Sequence, residues 1–448
     1  MKRLPSIAWK PTAGADCERQ RVLPFLERSE RRFRMFRWGI AASTALLIVG
    51  MIEFSAAGRY HVRIWTDRAH DAVRYGLLGL QQDRERIEAN WRARREHGIE
   101  QTYQRLSSFY QETDDGTREL FRVAGMDPDH ALVRYGRGDA GFVISPQVFE
   151  RDDRGRSYRF RPGIRSVWLR QITLHNGPFG LFQVLDTPAH RAAAGRAGAI
   201  VDEGSIQHTN SWGLRGPEPD LSAPVRGIVL GDSFMQGMFN SDADTPSRYL
   251  ERRLESTWRE PVTIVNTGHI GYSPEQYYYT LEEYGERVKP QFVVVSVCPN
   301  DFGEGMEVLH GRGDWFEEAG YWLGEIRRWC LGHQAICLMV PVPTNLQIEG
   351  LRDDDWYPGR ICRIVRTISA RYCDPLNDFT DEFLRLRRRG EREGHPSPRC
   401  ALFNYQIDDD HFSPVGAALW AKVVARRLAL LLDPPIPSPR GGKSLGNR

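Results

Sequence analysis

The chain has 448 residues, which is more than a single hydrophobic core usually organises, so two folded regions with tails are expected. Its 41% hydrophobic and 27% charged residues are ordinary for a globular protein, and its net charge of +3 is small. Arginines supply most of the positive charge but are interleaved with acidic residues along the chain. This pattern lacks the one-sided basic stripe of a nucleic-acid-binding protein, so nucleic acid is not predicted as a partner.

An uncharged apolar run occupies positions 38–52, and only Glu53 separates it from the uncharged segment 54–58. Together they approach the ~20 residues that a helix needs to span a bilayer. The arginine-rich segment 1–37 precedes the run, so the positive-inside tendency predicts a cytoplasmic tail at 1–37 and a transmembrane anchor at 38–57. The chain is therefore expected to be a single-pass protein of the cytoplasmic (inner) membrane, with the remainder extracytoplasmic. A cleavable signal peptide and a buried helix are the alternatives.

Seven cysteines occur along the chain, at Cys17, Cys298, Cys330, Cys337, Cys362, Cys373 and Cys400. They form no C-x-x-C pair, which argues against a zinc ribbon or a thioredoxin-like site. Six of them follow the predicted anchor, and an even number is compatible with disulfides in an oxidising compartment. The alternative is that several are small buried hydrophobic residues.

The segment 58–222 is predicted to be an extracytoplasmic juxtamembrane region of mixed α+β structure. Positions 66–113 are polar with scattered apolar residues, which is typical of amphipathic helix. Positions 142–184 show the alternation and turn residues typical of strands. Neither pattern indicates a particular chemistry.

Near Pro224 the pattern changes to short, continuous apolar runs that alternate with helical segments. Strands are predicted at 226–230, 261–266, 292–297 and 335–340, and helices at 246–254, 274–288, 314–329 and 414–432. Continuous apolar strands alternating with helices imply a parallel sheet that is covered on both faces. The sequence therefore predicts an α/β domain at 223–433, followed by a disordered tail at 434–448.

Polar and small residues follow the predicted strands, where ligands bind in open α/β sheets. Ser233 comes after the first strand, Gly268 after the second and Asn300 after the third. Asp408 and His411 precede the last helix, and an aspartate three residues before a histidine can reach back to the imidazole. Each feature alone is usually a turn or a cap, but the set has the composition of a serine-nucleophile site.

The combination resembles the SGNH (GDSL) hydrolase superfamily, which is named for a Ser, a Gly, an Asn and a His in four sequence blocks. The resemblance covers about residues 223–432 and rests on GDSF, NTGHIGYS, PND and DDDHFSP, with Phe234 where the name motif has leucine. It implies a three-layer, flavodoxin-like fold. Upstream, the segment 210–216 (NSWGLRG) looks like one often found before the catalytic domain of exported, membrane-anchored members.

The resemblance also implies a mechanism. His411, oriented by Asp408, would take the Ser233 proton, and the oxyanion hole would consist of the N–H groups of Ser233 and Gly268 and the Asn300 amide. An acyl-enzyme would pass its acyl group to water in an esterase, or to a sugar hydroxyl in an O-acyltransferase. No metal or cofactor is expected. The predicted location suggests O-acylated cell-envelope carbohydrate as a substrate.

Three other functional interpretations are less well supported. An α/β-hydrolase would need a G-x-S-x-G turn, which the chain lacks. A metal-dependent phosphoesterase could use Asp408, Asp409 and Asp410, but consecutive carboxylates without a histidine cluster more often form a solvated turn. A non-catalytic envelope-binding protein would be expected to have lost some of the five site residues, whereas all are present.

Overall fold

The computed structural model describes residues 100, 103–135, 141–152, 154–170, 182–302, 314–343, 348, 365–366, 368–369, 371–393, 402–403 and 411–432. The chain divides into two units, 1–63 and 64–448, and every described residue lies in the second. The predicted anchor at 38–57 and the tail at 434–448 lie outside the described residues. Within the described ranges, no helix combines the length and the apolar character needed to cross a bilayer.

A parallel sheet of four strands forms the centre of the carboxyl-terminal half. Its strands are β9 (Val225–Leu230), β10 (Val262–Asn266), β11 (Phe292–Val297) and β12 (Ile336–Pro341), and their spatial order is β10-β9-β11-β12. Nearly every strand residue is buried, as expected for a sheet covered on both faces. The chain goes from β9 to one neighbour and then to the other, so the sheet has its topological switch point between β9 and β11.

Helices cover the two faces of the sheet. They are α3 (Ser233–Gln236), α4 (Pro246–Trp258), α5 (Pro274–Val288), α6 (Asp314–Gly332), α7 (Pro375–Glu393) and α8 (Pro414–Leu431). Helices α5 and α6 pack together in the largest core cluster, whereas α4 and α8 pack against each other and against the edge strands. The predicted α/β class with a parallel sheet is confirmed. The prediction had no counterpart for α7.

The described residues of the upstream part of the chain form short antiparallel strands and α-helices, one of them over 103–112. The other elements are α1 (Asp115–Val123), β1 (Leu132–Tyr135), β2 (Gly141–Ile144), β3 (Phe149–Asp152), β4 (Ser157–Phe160), β5 (Arg165–Arg170), β6 (Phe182–Leu185), α2 (Pro188–Arg196), β7 (Ile200–Val201) and β8 (Gln207–His208). Strands β1 and β2 form one hairpin and β3 and β4 another, while β5 pairs with β6, β7 and β8. This agrees with the mixed α+β structure expected upstream of residue 222.

The upstream strands share a core with the parallel sheet. Phe149, Tyr158 and Phe160 belong to the same cluster of buried residues as Ile228 and Leu230 of β9. A second cluster lies between α1, α2 and strands β2, β5 and β6. The hairpin β3–β4 is therefore packed as part of the α/β core.

Four of the cysteines, Cys298, Cys330, Cys337 and Cys373, lie among the described residues, and all are buried free thiols. In this part of the chain, the cysteines are small buried residues, as the alternative interpretation predicted. Cys17, Cys362 and Cys400 lie outside the described residues, so the disulfide expectation is untested for them.

Candidate active site

The candidate nucleophile Ser233 lies just beyond the carboxyl end of β9 and is the first residue of α3. The turn needs a glycine at position 231, because a Cβ there would lie 2.4 Å from the Met235 Cγ. Asp232 caps the helix by accepting a hydrogen bond from the Phe234 N–H at 3.0 Å. These contacts hold Ser233, which is 6% exposed, at the edge of the sheet where ligands bind.

His411 contacts Ser233 although 178 residues separate them in the chain. The imidazole Nε2 lies 2.7 Å from the Ser233 Oγ. The Phe234 ring stacks on the imidazole at a centroid distance of 4.8 Å, and the Phe239 ring meets it edge-on at 5.5 Å. The structure thus places the alcohol and the candidate general base within hydrogen-bonding distance, as proton transfer requires. Asp408, predicted to orient His411, lies outside the described residues, so its role stays a prediction.

The three predicted oxyanion donors follow neighbouring strands. Ser233 follows β9, Gly268 follows β10 and Asn300 lies in the 3₁₀ turn after β11. Because the strands are parallel, all three lie at one edge of the sheet. Among the described residues, the Ser233 N–H has no acceptor and the buried Asn300 Oδ1 has no donor.

Gly268 differs from the other two candidate donors. Its N–H already donates to the Asn266 Oδ1 at 2.9 Å, so an oxyanion would have to share or replace this hydrogen bond. Gly268 is also sterically essential, since a Cβ there would lie 2.2 Å from the Gln236 N. Gly271 follows on the same loop with φ of 63°, and its N–H has no acceptor among the described residues. Gly271 is partly buried and is a second candidate donor, which the sequence reasoning did not consider.

A buried polar cluster lies behind the nucleophile turn. The Cys298 Sγ donates to the Asp232 Oδ1 at 3.1 Å, and the Cys298 N–H donates to the Asp301 Oδ2 at 2.7 Å. The Tyr277 hydroxyl donates to the other Asp301 oxygen at 3.0 Å. Burial, reinforced by nearby carboxylates, raises the pKa of the Cys298 thiol and of the Tyr277 phenol well above their usual values, so both stay protonated donors. The cluster fixes the turn that carries Asn300, a role that the sequence reasoning missed.

Within the described residues, no group of three or more His, Cys, Asp or Glu side chains is arranged to hold a metal ion. The consecutive carboxylates at 408–410 lie outside those residues.

The fold and the site define a class of protein: an open α/β sheet with a serine hydroxyl, an imidazole partner and amide donors at its carboxyl edge. No protein-family model and no curated protein sequence matches the chain. Solved structures similar to parts of it include enzymes named as an esterase, a lipase/acylhydrolase and a lipase.

One of these structures is the acetyl xylan esterase AlAXEase, with 17% identity over 45% of this chain and 98% of its own, at a TM-score of 0.36. A lipase/acylhydrolase from Enterococcus faecalis has 17% identity over 47% of this chain and 99% of its own, at a TM-score of 0.32. A putative GDSL-like lipase from Parabacteroides merdae has 16% identity over 48% of this chain and 100% of its own, at a TM-score of 0.34.

Proposed function

We propose that this chain is a serine esterase of the SGNH type that cleaves O-acyl esters through an acyl-enzyme on Ser233. The observation that carries the proposal is the 2.7 Å contact between the Ser233 Oγ and the His411 Nε2. A serine hydroxyl is a weak nucleophile until a base removes its proton, and this contact supplies the base. The two groups come from distant parts of the chain and meet at the sheet edge where α/β folds bind ligands.

In the proposed reaction, the Ser233 oxygen attacks the ester carbonyl while His411 takes the hydroxyl proton. The carbonyl oxygen becomes an oxyanion, which accepts hydrogen bonds from the Ser233 N–H, the Asn300 amide and a glycine N–H of the loop after β10. Collapse of this intermediate releases the alcohol, which takes the proton from His411. Water then repeats the sequence on the acyl-enzyme and releases the acid. Asp408 is assigned the role of orienting His411.

The proposed substrates are acyl esters on cell-envelope carbohydrate. Support comes from the predicted anchor at 38–57, which would hold the site outside the cytoplasm at the inner membrane. A sugar hydroxyl in place of water at the second step would make the protein an O-acyltransferase. The two activities differ in product, since only hydrolysis releases free acid.

The test compares full-length wild-type protein with Ser233→Ala in two assays: release of acetate from a small ester and from isolated envelope glycans, and labelling by a fluorophosphonate probe. Loss of the nucleophile is expected to lower kcat by at least ~10³-fold and to abolish labelling. Ser145→Ala is the matched control, because Ser145 is also buried but its hydroxyl donates to the Ala124 carbonyl in the upstream part. Equal rates for wild type and Ser233→Ala would refute the proposal.

A further inference from the structure

The segment 210–216 folds into a compact turn that directs one arginine into the protein. The Asn210 Oδ1 accepts hydrogen bonds from the N–H groups of Trp212 and Leu214 at 3.0 and 3.1 Å. Gly213 has φ of 73°, a conformation that other residues seldom adopt. The turn delivers Arg215, whose side chain is only 1% exposed, towards the loop that follows Ser233.

The Arg215 guanidinium donates to three backbone carbonyls at and just beyond the carboxyl end of the nucleophile helix. One terminal nitrogen contacts the carbonyls of Gln236 and Gly237, and the other donates to the Asn240 carbonyl at 2.5 Å. Its Nε donates to the Asp242 Oδ1 at 3.2 Å. Carbonyls at a helix carboxyl end lack partners within the helix, and a planar fork of five N–H donors can satisfy several at once. Arg215 therefore caps α3, the helix that begins with Ser233.

The same contact extends to the loop that carries the base. Asn240 accepts from Arg215 through its backbone carbonyl, and its side-chain Nδ2 donates to the Phe412 carbonyl at 3.1 Å. Phe412 is the neighbour of His411 in the chain. One buried guanidinium thus holds the end of the Ser233 helix and, through Asn240, the backbone beside His411.

We infer that Arg215 is a positioning residue that sets the separation of Ser233 and His411, an inference that rests on the proposed function of that pair. Arg215 itself contacts neither reacting group among the described contacts. Its effect is on the geometry of attack, where a displacement of about 1 Å can lower the rate by about 10²-fold. A lysine would keep the charge but lose the planar fork, and would hold at most part of this arrangement.

The test uses full-length Arg215→Ala and Arg215→Lys, with Arg156→Ala as the matched control. Arg156 is also buried and upstream, but its partners are the carboxylates of Asp152 and Glu283. Assayed below their melting temperatures, both Arg215 variants are expected to lose ~10- to 100-fold in kcat with little change in KM. Millimolar guanidinium should restore part of the kcat of Arg215→Ala. Arg156→Ala should lose stability but keep its kcat.

The inference is overturned if folded Arg215→Ala keeps wild-type kcat, or if both alanine variants lose kcat equally and guanidinium restores neither. A second readout does not need turnover: the pKa of His411, followed by NMR with and without Ser233→Ala. Ser233→Ala removes the hydroxyl that contacts His411, so it should change the His411 pKa in the wild-type and Arg156→Ala backgrounds. In the Arg215→Lys background, where this contact is expected to be disturbed already, the His411 pKa should not change. The same change in all three backgrounds would overturn the inference, whereas a wild-type protein without esterase activity would overturn only the proposed function.

Discussion

Gly268→Ala is predicted to inactivate the site through a steric clash with the nucleophile helix. An alanine Cβ at this position would lie 2.2 Å from the Gln236 N, 2.3 Å from the Met235 carbonyl carbon and 2.7 Å from the Met235 Cβ. Ordinary contacts begin at 3.4 Å, so the backbone of α3 or of the loop must move by about 1 Å. Gly268 does not have a positive φ, so the cost is one of space rather than of backbone conformation.

The displacement can be converted into expected effects. Overpacking of this kind typically costs about 1–3 kcal/mol of folding free energy. Because α3 begins at Ser233, a shift of about 1 Å would also disturb its 2.7 Å contact with His411, which corresponds to a loss of about 10²-fold in kcat. The rate should therefore fall further than the stability loss alone explains.

The assay measures kcat on a small acetate ester and the free energy of unfolding by denaturant titration. Gly195→Ala is the control, because Gly195 lies within helix α2 and a Cβ there meets nothing within 4 Å. That variant should be stabilised by up to about 1 kcal/mol at unchanged kcat. If Gly268→Ala keeps wild-type stability and kcat, the close approach of this loop to α3 is refuted.

Two further predictions concern the upstream region. Tyr158→Phe removes a hydroxyl that donates to the Ile270 carbonyl, and should lower the free energy of unfolding by about 1–2 kcal/mol and also lower kcat. The control Tyr103→Phe removes a hydrogen bond to the Ala131 carbonyl and should lower stability alone. Equal kcat in the two variants would contradict this prediction. Burial lowers the pKa of His190 below 6.5, so the unfolded chain takes up the proton first and stability should fall as pH drops through 6.5, levelling off below the folded-state pKa. Denaturant titrations from pH 8 to 5 should show this fall in the free energy of unfolding in wild type and a smaller fall in His190→Gln.

The parallel sheet could be predicted because its signal is local. Each strand is a short apolar run, and the observed β11, Phe292–Val297, coincides with the predicted 292–297. Helix α5, Pro274–Val288, likewise has the predicted bounds, because Ser273 and Gln276 form a capping box at its start. Helix α7 was not predicted, although Leu376, Phe379 and Phe383 recur at the three- and four-residue spacing that is typical of an amphipathic helix.

The site was only partly predictable. Residues just after strands are identified by sequence position, which is why Ser233 and Asn300 could be located at the sheet edge. The Gly268 N–H donates to the Asn266 Oδ1, and no sequence pattern indicates which acceptor a backbone N–H will contact. The contacts of Arg215 are equally hidden, since they join a loop before the first sheet strand to carbonyls more than twenty residues away.

The nucleophile helix explains why the upstream region is packed so closely against the site. Helix α3 has 4 residues, too few to be stable alone, so its geometry must be imposed at its ends. Asp232 holds the start and Arg215 holds the end. Burial of the arginine is costly, as its pKa is lowered to about 10, mainly by desolvation. An apolar replacement would remove that cost but leave three carbonyls without this donor, so the arrangement favours a fixed serine over maximal stability.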